Sequence, residues 1–352
     1  MTILRIALAI IVSLLVFGLP VWNLARLKGK ESILWAVLPF AVFILLVVVS
    51  RWAEGNAWYV FFHILKTGMF YVLILSGLLL FVSIIGMTIK WIFKISDTKI
   101  FWAIIMTTFV FAAAARIQGE RIVVKNITLP AENITRDYQF VHITDLHHGS
   151  TGVPHLERVV KKIRPLDPEF MVITGDFIDE NFVDSQSIAA FNTLEFPQYL
   201  ITGNHEYYLH ENKVNAVIAD SVIELIDGKR ITYEELDIIG VNELATVDDT
   251  LAVIGGLDPD QYSILLDHQP KTDEVHRAAS YGTHLMLSGH THKGQLWPMG
   301  ILLRLQFKYL AGLYEIDDMF LYVNQGTGTL GPKMRFGTAN EITVITLEPE
   351  VQ

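Results

Sequence analysis

Five times in the last two-thirds of the chain, a short run rich in Val, Ile, Leu and Phe stops at a polar motif. The motifs are Asp145-Leu146-His147, Gly175-Asp176-Phe177-Ile178-Asp179, Gly203-Asn204-His205-Glu206, His268 and Gly289-His290-Thr291-His292. The runs before them, Gln139–Thr144, Glu169–Thr174, Gln198–Thr202, Tyr262–Leu266 and Thr283–Leu287, have the length and apolar content of buried strands. Helical spacing falls between several of them, at Pro154–Ile163, where Leu156, Val159, Val160 and Ile163 share a face, and near Ser185–Thr193, Glu211–Ala219 and Lys271–Ser280. Residues 118–138 read as a connector and a first strand. The alternation predicts an α/β fold. Ligands of open α/β sheets collect at the carboxyl ends of strands, and every motif falls at such an end. Gly175, Gly203 and Gly289 suit sharp turns and close approach of backbone to a ligand.

The front of the chain belongs to a different solvent. Residues 1–117 hold ten Lys/Arg and three Asp/Glu, whereas residues 118–352 hold seventeen and thirty-four. The first part contains four apolar runs, near Ile6–Leu24, Ser32–Val49, Thr67–Ile89 and Ile100–Ala115. Crossing a bilayer takes roughly 20 apolar residues of helix. Trp22, Trp35, Trp52, Trp58, Tyr59, Trp91 and Trp102 cluster near run ends, as interfacial aromatics do. The expectation is a four-helix transmembrane anchor over 1–117 and a catalytic domain over 118–352, in a multi-pass protein of the cell membrane. Basic residues near the spans divide six against six between the two sides. Three on one side flank the large domain, where the positive-inside rule weakens, which tilts the expectation to a non-cytoplasmic domain. The acidic surface of 118–352 argues against nucleic acid as partner. The absence of cysteine removes disulfides, thiolate ligands and cysteine nucleophiles.

The motif residues have the chemistry of a site for two divalent metal ions. Two nearby cations repel, and a carboxylate using both oxygens can bridge them; Asp176 is the candidate. Asp145, His147 and His292 would complete one ion, and Asn204, His268 and His290 the other. Nitrogen and oxygen donors without sulfur suit Mn, Fe or Zn better than Ca²⁺. Two such ions, about 3.5–4 Å apart, clamp the attacking and leaving oxygens of an in-line displacement, with the water or hydroxide between them as nucleophile. His205, next to Asn204, is then the catalytic donor to the leaving oxygen. Asp179 and Glu206 would orient ligand groups. His148 is a candidate for a supporting or substrate contact. His142, His155, His210, His276 and His284 match no motif and read as structural.

With these residues in place, the chain resembles the calcineurin-like metallophosphoesterases, in particular their membrane-anchored branch, transmembrane proteins with a metallophosphoesterase domain. The resemblance covers about 138–348, including Gly326-Thr327-Gly328, Gly331-Pro332-Lys333-Met334-Arg335 and Glu341–Ile345. It implies a four-layer α-β-β-α sandwich and metal-dependent hydrolysis of a phosphomonoester or phosphodiester. The family's ligand pattern maps onto the same seven residues, with His205 catalytic. By analogy, a lipid-linked phosphate or a nucleotide-glycolipid pyrophosphate enters the substrate range. One departure is Lys293, where near relatives often carry glycine. Its side chain either reaches a substrate phosphate or points to solvent, and its backbone cost is small unless the position needs a positive φ. Ile301–Tyr314 is apolar with Arg304 and Lys308 interspersed, and reads as a buried segment or as a flap against a bilayer. The alternative function is a non-enzymatic membrane scaffold or receptor with a structural metal site; the absence of charge pairs deep in the spans leaves a transport pathway unsupported. Oligomeric state is not legible.

Overall fold

The computed structural model describes residues 19–28 and 59–350. The chain divides into two compact units, Met1–Ala115 and Arg116–Gln352. In the first, the described helices are α1 (Leu19–Leu27), α2 (Tyr59–Phe93) and α3 (Asp97–Gln118, which runs on into the second unit). Two stretches are long and apolar enough to cross a membrane, Ile74–Phe93 within α2 and Asp97–Gln118. They correspond to the third and fourth apolar runs. The expected four-helix region is corrected to these two helices among the described residues. The first run before Leu19 and the whole second run lie outside them. Trp91 and Trp102, near the ends of α2 and α3, are exposed.

The second unit is built on two six-stranded sheets. In the first the order is β1-β12-β2-β3-β4-β5, and in the second β10-β11-β9-β8-β7-β6. The first contains β1 (Ile122–Ala131), β2 (Tyr138–Ile143), β3 (Phe170–Thr174), β4 (Gln198–Ile201), β5 (Ile223–Leu225) and β12 (Asn340–Pro349). The second contains β6 (Arg230–Tyr233), β7 (Leu236–Gly240), β8 (Tyr262–Leu266), β9 (Leu285–Ser288), β10 (Gly312–Ile316) and β11 (Met319–Val323). β2, β3, β4 and β5 run parallel, as do β7, β8, β9 and β11.

Strand periodicity assigns the faces. Phe140, Phe170, Val172, Tyr199 and Ile201 of the first sheet meet Ile238, Ile264, Leu266, Leu285 and Leu287 of the second in one dry core. Their neighbours Val141, Ile143, Met171, Ile173 and Leu200 point outward, against the helical turns Val153–Ile163 and Gln186–Thr193. On the far side, Ile239, Leu265 and Met286 pack against helices Val247–Ile254 and Thr272–Ser280. The layers therefore run helix, sheet, sheet, helix. Phe140 and Phe170 stack at 4.7 Å in the middle, and both are fully buried. Removing the Phe170 ring leaves a cavity between the sheets. Phe170→Ala should cost about 3–5 kcal/mol, read as a lower denaturation midpoint of the full chain in detergent.

Candidate metal centre

The parallel strands place their carboxyl ends along one edge of each sheet, and the motif loops leave from there. Asp145 and His147 follow β2, Asp176 follows β3, and Asn204 and His205 follow β4. His268 follows β8, and His290 and His292 follow β9. The two edges are joined directly: His268 Nδ1 lies 2.8 Å from the Thr174 carbonyl at the end of β3. The Asp145 carboxylate accepts the His290 backbone N–H at 2.9 Å.

Those ties require missing side chains. A Cβ on Gly289 would lie 2.1 Å from Thr144 Oγ1 and 2.4 Å from Asp145 Oδ2. Gly175 adopts φ +87° and would collide with Gly203 and the His268 ring. The ligand candidates themselves carry unusual backbone. Asp145, His147, Asp176, His290 and His292 all sit in the left-handed region, with φ between 47° and 68°. Each such residue costs on the order of 1–2 kcal/mol, and strain of this kind concentrates at functional sites.

Three donor groups result: one, His147 with Asp179 and His205, shares His147 with the first of the two clusters that carry the expected ligands. In that first cluster, Asp145, His147 and His292 bring ligand atoms within 4.8 Å of one another; in the second, Asp176, His268 and His290 do so. His147 Nε2 and His292 Nε2 are 3.1 Å apart, and His290 Nδ1 and His268 Nε2 3.3 Å. Each pair of imidazole nitrogens faces the other across a gap that one proton or one cation can fill. Asn204 Oδ1 joins the second cluster, 3.2 Å from His268 Nε2. Asp176 Oδ2 lies 3.3 Å from His268 Nε2 and 3.8 Å from His147 Nε2, between the clusters. Its other oxygen accepts the His205 backbone N–H at 2.8 Å. The His205 ring is partly open to solvent, with Nε2 4.0 Å from Asp176 Oδ2 and its centroid 4.6 Å from that of His147.

The electrostatics ask for positive charge. The side chains of Asp145, Asp176 and Asp179 are nearly sealed from solvent, and Glu206 is buried. Burial opposes charge on His147, yet the neighbouring carboxylates of Asp179, Asp176 and Asp145 outweigh it and lift the imidazole to about 9. His268 is likewise raised against its burial, chiefly by Asp176. Burial works against ionised Asp176 too, and His268 and His147 still hold its carboxyl below the usual range. By contrast, burial and the proximity of His147 depress His205 to about 4, leaving a neutral ring. Burial pushes Glu206 up to about 8, with the Asp176 charge adding to it.

The remaining sequence candidates occupy specific places. Asp179 Oδ2 is 3.4 Å from His147 Nδ1, and the same carboxylate accepts from Ser150. Glu206 touches backbone instead of a ligand side chain, accepting the N–H groups of Asp176 and Ile178 at 3.0 Å and of Gly203 at 2.8 Å. His148 is buried outside both clusters, with Nδ1 unpartnered. Lys293 is exposed at φ 53°, so the position does carry the positive φ on which its backbone cost depended. In Ile301–Tyr314 the ends differ: Phe307, Tyr309 and Leu310 are buried, while Ile301, Leu302 and Leu305 are exposed. The buried-segment reading therefore fits the second half of the stretch and not the first, whose apolar residues are left uncovered among the described residues.

Arg335 had no assigned role in the sequence. It is the one buried Lys or Arg among the described residues. It donates to the carbonyls of Gly326 and Gly328 and to Asn340 Oδ1, and its Nη2 lies 3.2 Å from His292 Nδ1. Burial lowers its guanidinium to about 9, against the pull of Asp145 and Glu341. Nothing in local periodicity marks a buried arginine in an irregular tail; only its place in the quoted ending pointed to it.

Two mixed sheets that carry Asp, Asn and His to one polar centre define an α/β protein with a candidate metal centre. A profile of the calcineurin-like phosphoesterases matches residues 138–294. The chain is 30% identical over 258 residues to an uncharacterized metallophosphoesterase of Campylobacter jejuni, covering 70% of this chain and 68% of that one. It is 29% identical over 273 residues to a transmembrane protein with metallophosphoesterase domain of Bos taurus (70% and 62%) and 30% over 251 to one of Danio rerio (64% and 57%). The match thus spans about three-fifths of the two vertebrate relatives. The chain belongs to the calcineurin-like phosphoesterase family.

Two substitutions test this geometry. Gly289→Ala should lower the number of divalent ions bound per chain, measured by elemental analysis, while the circular dichroism spectrum stays that of the parent. Lys293→Gly should raise stability by about 0.5–1 kcal/mol, because release from the left-handed region exceeds the entropic cost of glycine.

Proposed function

We propose that this chain is a membrane-held, metal-dependent phosphoesterase acting on a phosphodiester or phosphomonoester. The observation that carries the reading is the position of Asp176 Oδ2, within 4 Å of an imidazole nitrogen from each donor cluster. In this reading residues 1–117 are the anchor and 118–352 the catalytic domain, on the non-cytoplasmic side. The two apolar helices and the resemblance to proteins named as transmembrane support the anchor.

The donor set fits a pair of divalent ions. Asp145, His147 and His292 would hold one, Asn204, His268 and His290 the other, and Asp176 both. Mn, Fe and Zn are the metals that nitrogen and oxygen donors of this kind favour. When bound, such ions polarise phosphoryl oxygens and lower the pKa of coordinated water to roughly 7.

The side chains divide the remaining work. Asp179 keeps His147 turned so that Nε2 faces the cluster. Glu206 fixes the backbone that presents Asp176 and Gly203, so the bridging carboxylate does not wander. His205 points its ring into the mouth with its backbone N–H tied to Asp176. A neutral ring protonated at Nε2 donates a hydrogen bond to the leaving oxygen as negative charge develops there. Lys293, exposed beside His292, would meet a second phosphate oxygen in this reading.

Asp176→Ala should abolish binding of both ions and turnover of bis(4-nitrophenyl) phosphate together. His205→Ala should retain both ions and lose about 10²–10⁴-fold in kcat. Loss of metal in the second variant would remove His205 from its assigned role. An inert wild-type chain loaded with Mn²⁺ or Zn²⁺ would favour the structural-site alternative.

A further inference from the structure

Between two residues that hold the metal loop, the chain makes a detour. It leaves at His292, turns through Lys293, and comes back at Phe307, whose ring centroid is 5.2 Å from that of His290. Three residues later the Leu310 carbonyl accepts the Thr291 hydroxyl. Both ends of the detour are therefore fastened to the loop that carries His290 and His292, and what lies between stands at the mouth of the site.

That stretch contains Trp297, Met299, Ile301, Leu302 and Leu305, exposed by 53%, 49%, 58%, 58% and 87%. Five large apolar side chains in nine residues face outward around the short helix Met299–Leu303. The charge pattern is as unusual as the exposure. From Lys293 to Tyr314 there is no Asp or Glu, and Lys293, Arg304 and Lys308 are all exposed. Yet across residues 118–352 carboxylates outnumber Lys and Arg two to one. A tryptophan, a cluster of aliphatics and flanking basic residues without acids are the composition of a segment that lies in a membrane interface. The cations match anionic lipid phosphates.

We propose that Lys293–Lys308 is a bilayer-seated flap. Trp297, Met299, Ile301, Leu302 and Leu305 enter the acyl region, and Arg304 and Lys308 rest among anionic head groups. The metal histidines at the root of the flap then sit at head-group level, so the phosphate ester hydrolysed is one carried on a lipid. The second part rests on the phosphoesterase reading above; the first does not.

The chain has no cysteine, so a single introduced thiol reports without background. The full chain with Leu305→Cys, labelled with the fluorophore NBD, is reconstituted in phosphatidylcholine–phosphatidylglycerol vesicles, with Glu157→Cys on an exposed helix face as control. Emission from position 305 should be blue-shifted and quenched about twofold or more by acyl-brominated lipid, and that from position 157 unchanged. Equal emission from position 305 with and without bromine overturns the flap. So does a shielded label that resists bromine while the unlabelled Leu305→Cys chain forms a disulfide-linked dimer on mild oxidation, since a second copy then covers the surface.

The triple variant Ile301→Ser, Leu302→Ser, Leu305→Ser tests the substrate class. The 4-nitrophenyl ester of dioleoyl phosphatidic acid in vesicles is compared with soluble bis(4-nitrophenyl) phosphate. The variant should lose about tenfold or more in kcat/KM on the lipid ester while the soluble one changes by less than about twofold. Equal loss on both, or none on the lipid ester, overturns a lipid-borne substrate. A wild-type chain inert to both esters refutes the phosphoesterase reading and leaves the quenching result to decide the flap.

Discussion

One carboxylate oxygen stands between two groups of imidazoles, and much of the second unit serves to keep it there. Asp176 is buried, lies in a left-handed conformation and is surrounded by groups that hold its carboxyl ionised. Its backbone N–H is held by Glu206, and its second oxygen by the backbone of His205. An isolated buried carboxylate is costly, and here the neighbours that offset the cost are themselves metal-type donors. The arrangement is therefore self-consistent only with positive charge in the gap, whether protons on His147 and His268 or cations.

The strain follows from this demand. Left-handed backbone at Asp145, His147, Asp176, His290 and His292 turns each side chain back toward a common centre immediately after its strand ends. A relaxed loop would need more residues to make the same turn. The sheets supply the stiffness that sustains it: fully buried residues at the ends of β2, β3 and β9 lie two positions before Asp145, Asp176 and His290.

Much of this could be read from the residues, for an identifiable reason. The strands ending in ligands are apolar on both faces, so runs such as Phe170–Thr174 and Tyr262–Leu266 stand out with almost correct limits. The edges of the sheets did not stand out. β5 is three residues long, and the β6–β7 hairpin turns at Glu234-Glu235 without the Gly or Asn that marks such turns. In the apolar front half, length and composition identify α2 and α3, and of the two earlier runs only the part from Leu19 falls among the described residues. Glu206 was found by its motif but not by its role, since a side chain that binds backbone leaves no periodic trace. Arg335 was visible only as part of an ending, because what it binds, chiefly carbonyls of Gly326 and Gly328, exists only after folding.

The donors are divided unevenly between the sheets. Strands β2, β3 and β4 deliver Asp145, Asp176, Asp179 and Asn204 with the imidazoles of His147 and His205, while β8 and β9 deliver only imidazoles, His268, His290 and His292. The first half of the domain is thus an oxygen-rich jaw and the second a nitrogen-rich one. The second jaw by itself lacks the oxygen donors that Mn, Fe and Zn sites mix with nitrogen. Any ion gripped by both would also rivet the sandwich, so that metal occupancy and cohesion of the two halves become one thermodynamic quantity.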